Sequence, residues 1–282
     1  MTADIFSDTP CALGEGPLWH PERAELFWFD ILGKRLHAKG AGGERRWQFA
    51  EHVSAAGRID RDTLLVASET GLYRFDIPSG ERSLVAALEA DNPVTRSNDG
   101  RADPWGGFWI GTMGRSAEPG AGAIYRFFRS EVRKLVRDVS ISNSICFAPD
   151  RSAAYYADTR IGKIMRQPLA AADGWPKGAA GVFLDLGHSD RLGVDGSVID
   201  SEGCLWNAQW GASRVARYAP DGKLLETIAV PTPQTSCPAF GGGDLRTLYI
   251  TTAAVGVRGD AAGKTYAARI AVAGMADPAV LL

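Results

Sequence analysis

Short apolar runs broken by turn residues recur along the chain, as in Leu26-Phe-Trp28, Leu64-Leu-Val66 and Leu248-Tyr249. Runs this short, bounded by Gly, Pro, Asp and Ser, predict many brief β-strands joined by tight turns. Helical periodicity is nearly absent, with only a trace over Ser83–Glu89. The pattern also repeats. Ser97-Asn-Asp-Gly-Arg-Ala-Asp-Pro-Trp-Gly-Gly-Phe-Trp109 aligns with Val194-Asp-Gly-Ser-Val-Ile-Asp-Ser-Glu-Gly-Cys-Leu-Trp206. Each carries a polar residue (Asn98, Asp195), an Asp five positions later (Asp103, Asp200), a glycine turn and a matched Trp.

Further copies surround Glu15 and Asn143, and weaker ones span Ala56–Val66 and Pro238–Tyr249. The polar slot then falls at Glu15, Gly57, Asn98, Asn143, Asp195 and Pro238, at intervals of 41 to 52 residues. A period in the forties accommodates four short strands, the content of one propeller blade. Second hairpins are visible at Gly71–Asp76 and Arg214–Tyr218. The expected fold is therefore all-β, a six-bladed β-propeller with four antiparallel strands per blade, in a single domain over residues 1–282. The longest unit holds its extra residues at Ala170–Gly181, a surface loop, and Gly114–Gly122 reads as a loop over one face.

Glycine is in excess, 33 of 282 residues, which suits so many turns; no Gly-X-Y period makes it collagen-like. Lys and Arg number 31 against 33 Asp and Glu, scattered without runs, so no basic face is expected to bind nucleic acid. No apolar run reaches the ~18 residues of a membrane span, and no membrane partner is expected. The N-terminus shows no basic-then-apolar leader, and Cys11, Cys146, Cys204 and Cys237 form no CxxC pair. Reduced, buried thiols in a cytoplasmic protein are the expectation.

Equivalent positions of successive blades surround one axis, so the slot side chains should share a central pocket. Four of the six carry oxygen donors, and none is His or Cys. Such a set suits one hard divalent cation, Ca2+, Mg2+ or Mn2+; Zn2+ and Fe2+ fit with less preference. Asn and Asp at strand starts also serve as plain turn formers. Glu15 favours the ligand reading, since Glu forms turns poorly and here lies between two glycines.

The segments Leu13-Gly-Glu-Gly-Pro-Leu-Trp19, Arg96-Ser-Asn-Asp-Gly100, Gly111-Thr-Met113, Ser142-Asn143, Asp195-Gly-Ser-Val198 and Leu248-Tyr-Ile-Thr-Thr252 resemble the gluconolactonase/regucalcin (senescence marker protein-like) family. The likeness runs from about residue 11 to 256. It implies a six-bladed propeller that hydrolyses a sugar lactone of the gluconolactone, xylonolactone or arabinonolactone type, sulfonated or otherwise acidic ones included. It also implies Glu15, Asn143 and Asp195 as metal ligands, Arg96 and Asn98 as substrate contacts, and Glu118 as a contact to sugar hydroxyls. The cation would polarise the lactone carbonyl while water attacks, with Asp195 or a metal-bound hydroxide as base. The family's usual Asn-Gly is Asn143-Ser144 here, a change expected to alter the turn but not the ligand.

Two other classes fit the same fold: a non-enzymatic calcium-binding or protein-binding propeller, and a related esterase or phosphotriesterase. A Ser-His-Asp hydrolase is disfavoured, because no Gly-x-Ser-x-Gly elbow occurs and His20, His37, His52 and His188 all fall outside the slots. His20 and His37 are expected at the surface or in turns, and His188 in a solvated loop. Trp28, Trp109 and Trp206 are expected between blades; of the tryptophans, Trp19 and Trp210 are the better candidates for lining the pocket.

Overall fold

Burial falls strand by strand from the middle of each blade to its rim. In the first blade the Gly14–His20 and Glu25–Asp30 strands are buried, Arg35–Gly40 is partly covered, and Gly43–Gln48 is largely exposed. Small residues fill the innermost strands, where six chains converge. The large apolar runs occupy the second strands, such as Thr63–Ser68, where neighbouring blades meet. The computed structural model describes residues 1–282 apart from positions 188, 190 and 191. Among the described residues, 24 strands form six four-stranded antiparallel sheets, which is the expected six-bladed propeller.

The apolar core is divided to match. Each of six clusters joins two adjacent blades; one holds Phe27, Phe29 and Leu36 of the first blade with Val53, Leu64 and Phe75 of the second. Trp109 meets Phe147 edge-on across one blade boundary at 5.6 Å, and Trp206 meets Phe240 across another at 6.1 Å. Trp28 lies against Phe6 between the last blade and the first. These three tryptophans are buried packing elements, as their repeat positions suggest. All four cysteines are buried and free. No helix among the described residues is long and apolar enough to cross a membrane.

Two features of the ring carry no local signal. The last blade is Thr235–Gly241, Thr247–Thr252 and Thr265–Arg269, and its outer strand is Asp4–Ser7 from the other end of the chain, with Asp4 opposite Ala267. After Arg269 the chain runs back as a strap beneath the ring, against the far ends of the innermost strands. Asp277 pairs there with Arg101, Val280 N donates to Arg58 O, and Leu281 N donates to Gly106 O.

Several expectations are corrected. The Ser83–Glu89 stretch holds no helix; Arg82–Ala87 is the outer strand of the second blade. Gly57 and Pro238 are not at the axial end. Those innermost strands begin at Val53 and Thr235, and their bulges put Ser54 and Ser236 where the other blades have their polar slot. His20 and His37 are buried, not surface residues. His20 Nε2 lies 3.0 Å from Asp60 O, and His37 stacks on Trp28 at 5.2 Å. The loop after Pro168 leaves its own blade, and its Ala171 and Asp173 carbonyls accept from Trp105 and Arg126 of the preceding one.

Candidate functional site

Every innermost strand breaks register near its start: between Glu15 and Leu18, Ser97 and Gly100, Asn143 and Cys146, and Val194 and Ser197, with the same break in the other two blades. A bulge releases a side chain from strict alternation and re-aims it. Here it turns Glu15, Asn98, Asn143 and Asp195 to one end of the axis. The residues after two of them carry the cost. Gly16 has φ +52° and Ser144 φ +59°, so both lie in the left-handed region. The Asn143-Ser144 departure thus leaves the turn in a conformation that glycine adopts more easily. In exchange, the Ser144 hydroxyl donates to Asp195 O at 2.5 Å, a bond glycine cannot make.

Glu15, Arg96, Asn98, Asn143 and Asp195 line a single cavity of about 520 Å³, walled by Met113, Ile141 and Trp210. A chain of hydrogen bonds links Arg96, Asn98 and Asn143 and continues to the fifth blade, three blades in all. Arg96 Nη1 donates to Asn98 Oδ1 at 2.8 Å and to Ser97 O at 2.9 Å. Asn98 Nδ2 donates to Ser142 O at 2.9 Å and to Asn143 Oδ1 at 3.3 Å. Asn143 Nδ2 donates to Thr159 Oγ1 at 2.8 Å, and Thr159 Oγ1 donates to Val194 O at 2.6 Å. With its nitrogen held by Thr159, Asn143 keeps its oxygen on the side of Asn98.

The carboxylates are less well served. Glu15 Oε2 accepts from Gly16 N at 3.0 Å, a single backbone bond for a buried acid. Burial, then the nearby charge of Asp99, pushes the Glu15 carboxyl up to about 8. Burial, Glu15 and Asp99 push Asp195 up as well. Burial pulls the Arg96 guanidinium down, with Glu15 opposing. Asp99 sits deeper along the axis, where it accepts from Ile145 N at 2.6 Å. Two crowded carboxylates and amide oxygens, with no ion pair on Glu15 among the described residues, make a donor set that a hard divalent cation would fit. Among the described residues no three His, Cys, Asp or Glu side chains gather as a metal cluster; two carboxylates and the amides are what the cavity offers.

The remaining candidates divide. Glu118 is in the loop between the Phe108–Gly114 and Gly122–Phe128 strands; it accepts from Ser116 N at 3.0 Å and does not line the cavity. Trp210 lines the cavity, whereas Trp19 stacks on Tyr249 at 5.7 Å. His188 lies outside the described residues. Sequence reasoning missed Thr159 and Ser144. Ser144 stands where a glycine is usual, which is a usable signal; Thr159 follows a strand end and offers none.

Residues 13–254 match the family model described as the SMP-30/Gluconolactonase/LRE-like region. An L-arabinolactonase of Azospirillum brasilense is 38% identical, over 97% of this chain and 94% of its own. A 6-deoxy-6-sulfogluconolactonase of Pseudomonas putida is 36% identical, over 95% of each chain. The crystal structure of a calcium-binding protein, regucalcin, from Agrobacterium tumefaciens superimposes with a TM-score of 0.96 at 42% identity, covering 100% of this chain and 98% of that one.

Proposed function

The chain belongs to the SMP-30/Gluconolactonase/LRE-like family, and on that premise we propose that it hydrolyses a sugar lactone to the aldonic acid, with one divalent cation held by Glu15, Asn143 and Asp195. The convergence of these three with Asn98 and Arg96 on one cavity, from four different blades, is the observation that carries the reading. A scaffold that only bound proteins would have no use for two crowded carboxylates at its axis. Relatives named for arabinolactone and sulfogluconolactone support the substrate class.

Oxygen donors alone suit Ca2+, Mg2+ or Mn2+ ahead of Zn2+ or Fe2+. A neighbour described as calcium-binding adds weight to Ca2+. When bound, the cation supplies Lewis-acid polarisation of the ester carbonyl. The chain's own residues do the rest. Arg96, with its free N–H groups, and Asn98 hold the ring oxygens and hydroxyls of the lactone. Asp195 takes the proton of the attacking water, and Ser144 fixes the backbone from which that carboxylate projects. Met113, Ile141 and Trp210 give the ring an apolar wall.

The test is a panel of sugar lactones followed by acid release, on protein stripped with chelator and then resupplied with each cation in turn. Activity should vanish on stripping and return with a hard cation. Activity that survives thorough stripping defeats the cation's role, and cation binding without turnover of any lactone favours a calcium-binding propeller. Asp195→Asn should lose turnover; a fully active variant rules out Asp195 as base.

A further inference from the structure

The cavity has a second arginine that the chemistry above does not use. Arg160 lies in the turn between the Ala153–Asp158 and Lys163–Pro168 strands and lines the cavity at its mouth, where it is exposed. The preceding residue, Thr159, holds Asn143. The turn itself is well tied: Asp158 accepts from Ser140 N at 2.8 Å, Ile141 N at 3.0 Å and Arg160 N at 3.1 Å. The carboxylate closest in sequence is thereby spent on backbone donors. Among the described residues the Arg160 guanidinium has no hydrogen bond and no ion pair, whereas Arg101, Arg126 and Arg217 are each matched to an Asp.

Charge bookkeeping over the described lining residues points the same way. The lining contains Glu15 and Asp195 against Arg96 and Arg160. Arg96 is buried and turned onto Asn98, beside Glu15. A divalent cation would balance the two carboxylates and leave both arginines in excess. An uncommitted guanidinium on a fixed turn presents a planar fork that matches an oxyanion bidentately better than a neutral hydroxyl.

We propose that the lactone hydrolysed here carries an anionic group, sulfonate, phosphate or carboxylate, distal to its carbonyl, and that Arg160 at the cavity mouth pairs with it. This rests on the lactonase reading. The ring then lies with its ester toward Glu15, Asn143 and Asp195 and its charged end toward solvent. Arg160 is a specificity residue here, with no part in the hydrolytic step.

The experiment compares kcat/KM for gluconolactone with that for its 6-sulfonated and 6-phosphorylated forms and for a lactone bearing a carboxylate, in wild type, Arg160→Met and Arg160→Lys. Wild type should favour at least one anionic lactone, by a ratio that shrinks as salt is raised. In Arg160→Met the anionic-to-neutral ratio should fall about five- to tenfold, mostly through KM, and Arg160→Lys should keep part of it. The three anions separate the possible sources of the charge. Calorimetric titration with the matching anionic aldonate should show weaker binding to Arg160→Met, a readout independent of turnover. An unchanged ratio in Arg160→Met, or a wild type that prefers the neutral lactone, overturns this proposal while leaving the lactonase reading intact. A wild type that hydrolyses no lactone overturns that reading, and this one with it.

Discussion

Replacing Asp277 by Asn removes one charge from the strap beneath the ring while keeping its shape. Arg101 Nη1 lies 2.8 and 3.1 Å from the two Asp277 oxygens, and the side chains are only 11% and 17% exposed. At 2.8 Å and an effective dielectric constant near 20, the attraction is about 6 kcal/mol before desolvation is counted. Removing one member of such a pair leaves the other buried and unmatched, which typically costs 3–5 kcal/mol. Asp99, two residues from Arg101 and close enough to feel its charge, compensates part of this, so a loss of about 3 kcal/mol is expected. For a chain of this length the unfolding entropy is about 0.6 kcal/mol per kelvin, and Tm should drop by about 5 °C. Thermal unfolding of wild type, Asp277→Asn, Arg101→Met and the Arg101→Met/Asp277→Asn double variant measures the effect. The double variant should cost clearly less than the two single costs added. A Tm change below about 1 °C in Asp277→Asn, or strict additivity in the cycle, would refute the view that this pair clamps the strap.

Three further outcomes are expected. Thr159→Val removes the acceptor that orients Asn143, so calorimetric cation affinity should weaken about tenfold, and Thr159→Ser should restore it; equal affinity in all three proteins would dismiss the orienting role. Ser144→Gly relieves left-handed strain of about 1 kcal/mol but loses the bond to Asp195 O, so urea stability should stay nearly level while turnover falls several-fold. Full turnover in that variant would show that the hydroxyl does not hold Asp195. Burial, partly opposed by Glu44, holds His37 below its ordinary 6.5, so its contribution to stability is complete above pH 6.5 and is lost as pH falls below it. Its share of the slope cannot exceed about 1.4 kcal/mol per pH unit, and His37→Phe should flatten the decline of the urea midpoint toward pH 5.

The blade count was legible because the innermost strands repeat one device, a polar residue at a bulge, which in the third, fifth and sixth blades is followed by a glycine turn and a buried Trp or Tyr. Glu15, Asn98, Asn143 and Asp195 were legible for the same reason, since the bulge constrains residue type as well as spacing. Alignment slipped in the second and sixth blades, where the polar residue is a serine, Ser54 or Ser236, too common to stand out. His20 and His37 were misplaced because their sequence neighbours give no hint of the carbonyl contact or stacking that buries them. Thr159 and Arg160 sit in a turn of ordinary composition, and only the closed ring brings that turn to the cavity. The pairing of Asp4–Ser7 with Thr265–Arg269 has no periodic signature at all.

That closing pair also dictates an order of assembly. A ribosome delivers Glu15 early and Asp195 much later, and Thr265–Arg269, which Asp4–Ser7 must meet, later still. Until then the emerging chain has an unfinished sheet edge at each end, the kind of surface that recruits other chains. No shorter nascent fragment contains both carboxylates across a completed axis, so the two can share one cavity only after synthesis of most of the molecule. Slow, non-local closure of this kind makes the last blade the vulnerable step in production of the protein, and fusions that tether or bury residues 4–7 should be the ones that fail to accumulate.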